Sequence, residues 1–164
     1  MIVRKIGLFV GTLLLLSGCS GKQLVTENQQ KSALITFKTP NLRYADQGFI
    51  YQGNNFVKVE IYSMGQPLLN LDINALNICM SLFECMEKAD FNARVLHPAY
   101  PPTLLENIFT SQPIFNGKNL IENRNGFTQT IEKEGEYNID YSVVSEATVF
   151  RDTINKILIK VKPQ

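Results

Sequence analysis

The chain has 164 residues, 16 basic and 15 acidic side chains, and a formal charge of +1 at neutral pH. That balance, with no basic patch, excludes nucleic acid as an expected partner. Hydrophobic residues make up 45 %, with ten Phe, six Tyr and no Trp, enough apolar surface for the core of one domain.

The first element is a leader rather than part of a fold. Arg4 and Lys5 form a positive start, and an apolar run from Ile6 to Leu16 follows, interrupted by glycines and Thr12. The run is shorter than the ~20 residues a membrane span needs, so residues 1–18 read as a signal peptide. The run ends in Leu16-Ser17-Gly18-Cys19, which resembles the lipobox of bacterial lipoprotein precursors. The resemblance implies cleavage before Cys19, a diacylglyceryl group on its thiol and acylation of its amine. Several chains, each CH₂ contributing ~0.8 kcal/mol, make such an anchor durable. The alternative is a plain secretory signal with an incidental cysteine. Ser20 stands where lipoproteins retained in the inner membrane of Gram-negative bacteria commonly carry aspartate. The resemblance therefore implies a lipid-anchored protein on the periplasmic face of the outer membrane. Cleavage would remove Arg4 and Lys5, taking the formal charge to −1 and leaving about 146 residues, one domain.

Residues 19–33 read as the lipidated N-terminus and a tether, its polar part Gly21 to Ser32 able to turn helical near its end. Residues 34–164 form the body. Ile35 and Phe37 alternate with Thr36 and Lys38 as a strand. Leu42 to Tyr51 predicts another, with Ala45-Asp46-Gln47-Gly48 as a bend or bulge, and Gln52-Gly53-Asn54-Asn55 is a turn. Val57, Val59 and Ile61, then Leu69, Leu71 and Ile73, alternate with polar residues as two half-buried strands joined by a loop at Met64-Gly65-Gln66-Pro67. A short strand is expected through Ile78 and Cys79, and a weak helix over Glu84 to Asp90. Pro101-Pro102-Thr103 opens the clearest helix, whose Leu104, Leu105, Ile108 and Phe109 share one face; Pro113 stops it. Phe127 to Ile131, a turn at Lys133-Glu134-Gly135, Tyr137 to Val143, and Ile157 to Val161 return the chain to strands.

The fold class that follows is α+β. A sheet with so few helices must curl or be covered to bury its apolar face, and a half-open antiparallel β-barrel with one or two helices covering its mouth does both. The interior is either an apolar cavity or a filled core; interiors normally pack densely.

Once Cys19 is lipidated, Cys79 and Cys85 remain. In an oxidising periplasm a disulfide between them is the default, against a buried free pair or a zinc site completed by His97. No catalytic site is expected. His97 is a loop residue with no orienting partner, Asp90 caps or ends an element, the serines lack a nucleophile-elbow pattern, and Gly53 and Gly65 have no phosphate-loop spacing. No metal and no cofactor beyond the covalent lipid are expected.

The order of elements over about residues 35–162 is similar to that of the LolA/LolB lipoprotein-localisation family. Four places carry the likeness: the lipobox and tether before a β-rich body; the strand Phe56 to Tyr62, the loop Ser63 to Pro67 and the strand Leu68 to Ile73; the proline-led segment Tyr100 to Phe109 with Pro113-Ile114-Phe115 after it; and the closing strands. The chain departs from the family in lacking tryptophan and in carrying Cys79 and Cys85. The resemblance implies a non-catalytic lipoprotein that takes acylated lipoproteins from a LolA-like periplasmic carrier and releases them into the outer membrane. It implies that Met64, before the loop glycine, contacts the membrane, unless it packs inward. It further implies an acyl-chain cavity walled by Phe37, Val57, Val59, Ile61, Leu69, Leu71, Ile73, Tyr137, Ile139 and Tyr141, with Leu104, Leu105, Ile108 and Phe109 as lid. The rival expectation is a structural or assembly lipoprotein with a filled core, acting through its surface.

Overall fold

The computed structural model describes residues 29–81 and 83–164; the leader, Cys19 and the tether up to Asn28 lie outside the described residues. Eleven strands form one antiparallel sheet: β1 (Gln29–Lys38), β2 (Arg43–Gly53), β3 (Phe56–Ser63), β4 (Gln66–Asn74), β5 (Asn77–Met80), β6 (Phe83–Glu87), β7 (Leu120–Asn123), β8 (Gly126–Lys133), β9 (Tyr137–Val144), β10 (Ala147–Asp152) and β11 (Ile157–Pro163). Their order is β6-β5-β4-β3-β2-β1-β11-β10-β9-β8-β7, so two meanders meet at a β1–β11 seam and the sheet is not closed. Helices α1 (Lys88–Val95) and α2 (Leu104–Phe109) and a 3₁₀ turn at Phe115–Gly117 link the two meanders, from edge strand β6 to edge strand β7.

Alternation explains the strands. In β3, Val57, Val59 and Ile61 are buried while Lys58, Glu60 and Tyr62 face outward; β4, β9 and β11 repeat the pattern. One face of the sheet thus feeds a single core from Ala33 to Val161. Curling follows from the contacts of α2. It packs against both β3 and β10, which β2, β1 and β11 separate in the ladder. On a flat sheet that spacing would be roughly 19 Å, at ~4.8 Å per strand, too far for one helix about 10 Å across.

Several expectations need correction. Strand β1 begins at Gln29, so residues 29–32 are strand and not a helical turn; they are exposed and polar, which leaves no alternation to read. The bend expected at Ala45–Gly48 is absent, because β2 pairs with β1 in unbroken register from Arg43 to Gln52. Gly48 serves close approach instead: a Cβ there would lie 2.1 Å from the Glu60 carbonyl oxygen and 2.9 Å from Ile35 Cδ1. The loop expected at Met64–Pro67 is a two-residue turn, Met64 and Gly65 at φ 50° and 78°, both left-handed as a tight hairpin requires. The helix expected at Glu84–Asp90 is strand β6 up to Glu87 and helix only from Lys88. Pro101 and Pro102 precede α2 rather than forming its first turn, the Leu104 N–H donating to the Pro101 carbonyl. The helix ends at Phe109, before Pro113, because Ser111 turns left-handed at φ 57°.

Candidate functional site: an apolar inner wall under a short helical roof

The expected wall residues come together. Phe37 on β1, Val57, Val59 and Ile61 on β3, Leu69, Leu71 and Ile73 on β4, and Tyr137, Ile139 and Tyr141 on β9 all belong to the core, none more than 7 % exposed. Leu104, Leu105, Ile108 and Phe109 of α2 press onto the same core, because i, i+1, i+4 and i+5 of a helix share one face. Phe37, Val59, Ile61, Leu71, Leu104, Leu105, Ile108 and Ile139 have no exposed surface, which leaves no room for even a water molecule beside them. In this state the interior is packed.

At one edge of the roof a surface groove lies over the inner wall, whose residues there are at most 9 % exposed. Ala33, Ile50, Val143 and Val161, from four strands, form the apolar floor of a groove of about 220 Å³ under Phe109. Lys31, Gln52, Ser111 and Glu146 supply polar groups around it. Gln52 Nε2 donates to the Phe109 carbonyl at 3.0 Å, and the Ser111 and Thr148 hydroxyls meet at 2.8 Å. The helix is therefore held at its C-terminal end by side chains of the wall.

Other ties hold the rest of the roof. The α1–α2 connection carries Tyr100, buried in the core, whose hydroxyl donates to Asp152 at the end of β10. Asp152 is 1 % exposed, and its Oδ1 accepts backbone N–H groups of Asn138, Ile154 and Asn155. Its Oδ2 also accepts Asn155 Nδ2 at 2.8 Å. Burial, then the neighbouring Asp152, push the Tyr100 phenol well above its ordinary range. Lys88 on α1 bonds Glu106 on α2 at 2.8 Å, and Asn92 Nδ2 donates to the Tyr100 and Pro101 carbonyls. Past α2, Tyr141 donates to the Gln112 carbonyl, and burial holds its phenol above its ordinary range. Gln129, buried on β8, bonds both the N–H and the carbonyl of Ile114. Sequence reasoning missed Tyr100, Asp152, Lys88, Asn92 and Gln129 in these roles. The one available signal was Asp152-Thr153-Ile154-Asn155, where an Asx turn bonds the Ile154 and Asn155 N–H groups.

The other expected residues lie apart. Met64 stands at the tip of the β3–β4 turn, 101 % exposed. Cys79 and Cys85 are joined by a disulfide across the β5–β6 hairpin. His97 packs on the Tyr100 ring, 5.5 Å between centroids, and its Nδ1 accepts the Ala99 N–H. Asp90 lies in the first turn of α1. Cys19 lies outside the described residues. Among the described residues, no group of three or more His, Cys, Asp or Glu converges as metal ligands, and no helix is long and apolar enough to cross a membrane.

These features define a class of architecture: an open antiparallel sheet, one apolar face, and a small helical roof tied down by isolated polar bonds. No protein-family model matches the chain, and no curated protein compared with it matches.

Proposed function

We propose that this chain is a lipid-anchored, non-catalytic binder of acyl chains, a half-open barrel whose roof lifts to admit them. It would take acylated lipoproteins from a LolA-like carrier and pass them to the outer membrane on whose periplasmic face Cys19 anchors it. One observation carries the reading: the groove beside Phe109, whose floor is made of core-wall residues from four strands. The roof stands outside the sheet's ladder, so lifting it breaks side-chain packing and a few polar bonds while leaving the strands paired. The groove's 220 Å³ holds only the leading part of a chain, below the ~300–1,000 Å³ of preformed ligand pockets, so binding requires α2 to move. At about 25 cal/mol per Å² of apolar area, modest differences in burial set the direction of transfer.

The packed interior favours a second reading, a structural or envelope-assembly lipoprotein acting through its surface. The test is titration of the soluble Cys19→Ala protein with a fluorescent fatty acid. Saturable uptake, weakened by Leu105→Asn, is the expected result. No uptake at micromolar protein refutes acyl-chain binding and leaves the second reading.

A further inference from the structure

We propose that the membrane-facing surface is the end of the sheet where β1 begins, with Leu76 as the apolar tip that enters the bilayer interface. The inference rests on reading Cys19 as the anchor. Antiparallel register assigns every turn to one end or the other. Gln29 pairs with Gln52, Gln52 with Val57, and Val57 with Ile73, so the start of β1 and the β4–β5 turn share an end. The β7–β8 and β9–β10 turns lie there too, while the Met64 turn lies at the other.

The β4–β5 turn is built to hold a leucine in water. Asn74 Oδ1 accepts the N–H groups of Leu76 at 3.0 Å and Asn77 at 2.8 Å, and the Leu76 carbonyl accepts the Lys88 N–H at 3.3 Å. The backbone is pinned on both sides, yet the Leu76 side chain is 76 % exposed. Ile121, 67 % exposed, and Val144 add apolar surface near the same end. A lipid interface is the partner that fits apolar tips beside an acylated N-terminus.

Chain length favours the end where β1 begins. Cys19 lies ten residues before Gln29, a reach of at most about 33–36 Å. Met64 lies seven residues along β3 beyond the level of Val57, roughly 24 Å farther from the anchor. To bring Met64 to the same bilayer the molecule would have to invert and spend most of that reach. The groove lined by Lys31 and Ala33 opens near the root of β1, so an acyl chain leaving it meets lipid directly, and Met64 faces away from the anchoring membrane.

The absence of tryptophan makes the test clean, since one introduced indole reports one position. Full-length lipidated protein carrying Leu76→Trp or Met64→Trp is reconstituted into phosphatidylethanolamine–phosphatidylglycerol vesicles containing brominated acyl chains. Intact mass verifies the lipid on Cys19, and circular dichroism verifies the fold. Leu76→Trp should shift to the blue and lose about half its emission to bromine, while Met64→Trp keeps its aqueous spectrum. A mass without lipid overturns the anchor reading and the orientation with it. With lipid present, quenching at Met64 alone, at both positions, or at neither overturns the orientation alone.

Discussion

Replacing Asp152 by asparagine tests whether the roof is held by a buried carboxylate. In the native protein Oδ1 takes three backbone N–H groups, and Oδ2 takes the Tyr100 hydroxyl and Asn155 Nδ2. Asparagine preserves shape and can keep the three backbone bonds on its oxygen. Its NH₂ group then faces two donors, and each buried donor left without an acceptor costs about 1–3 kcal/mol. The expected loss is about 2–5 kcal/mol, or roughly 8–20 °C in Tm at this domain size. Tyr100→Phe removes one donor, keeps the ring against Phe150 at 5.9 Å, and should cost less. The double variant should lose less than the two singles summed, because each single change leaves the other group unpaired. Tyr100 also sets an alkaline limit. Its phenol is raised in the folded state, so its contribution is complete below the ordinary value near 10 and falls as pH rises past it. Thermal melts by circular dichroism measure stability, and amide exchange across residues 96–103 measures release of the roof. An Asp152→Asn protein melting within about 2 °C of the native one would refute the reasoning.

Other outcomes follow from single features. Met64→Asn should stabilise the β3–β4 hairpin by about 0.5–1 kcal/mol in urea unfolding, since asparagine tolerates the left-handed φ of 50° that methionine resists. Cys79→Ser/Cys85→Ser should cost about 2 kcal/mol in the same assay, the entropy of closing a short loop. Ile139→Ala, with Ile139 wholly buried, should cost about 2–5 kcal/mol and lower Tm without altering the β-sheet spectrum. The Lys58 ammonium bonded to Glu60, with the Tyr62 and Tyr51 hydroxyls, holds the Glu60 carboxyl below the ordinary carboxylate range against an opposing push from burial. Its contribution is therefore complete above about pH 4–5 and lost as pH falls through the lowered value, so Glu60→Gln should flatten stability against pH in that acid window.

The strands easiest to read were those whose inward positions are all apolar. Val57, Val59 and Ile61 on β3, or Ile157, Ile159 and Val161 on β11, announce a half-buried strand unaided. Strand β10 escaped notice because its inward positions are Thr148, Phe150 and Asp152. Thr148 is satisfied by Ser111, distant in sequence, and Asp152 by Tyr100 together with the N–H groups of Asn138, Ile154 and Asn155 and the Asn155 amide. At β6, Glu84-Cys85-Met86-Glu87 has helical propensity, and pairing with β5 overrides it. The edge strand β7 is short and largely exposed, which leaves no periodicity to find. The wall and lid residues were legible as apolar positions. The polar ties that seat the lid were not, since each depends on a side chain meeting a group that no local sequence pattern places beside it.

The seam between β1 and β11 has a consequence for how the molecule assembles. Every other strand pairs with its neighbour in sequence, so two meanders, β1–β6 and β7–β11, can each form from local hairpins. Ala33 pairs with Pro163, so the seam joins one end of the described chain to the other. A chain made N-terminus first has no β11 to offer until Ile157–Pro163 has been made. Until then β1 has an unpaired edge on that side, with Ile35 and Phe37 lacking their cross-strand partners Val161 and Ile159. That interval is when the protein is most exposed to strand addition by another chain. Closure of the seam ends it, and among the described residues it joins the strands farthest apart in sequence, so it carries the largest loop-closure cost.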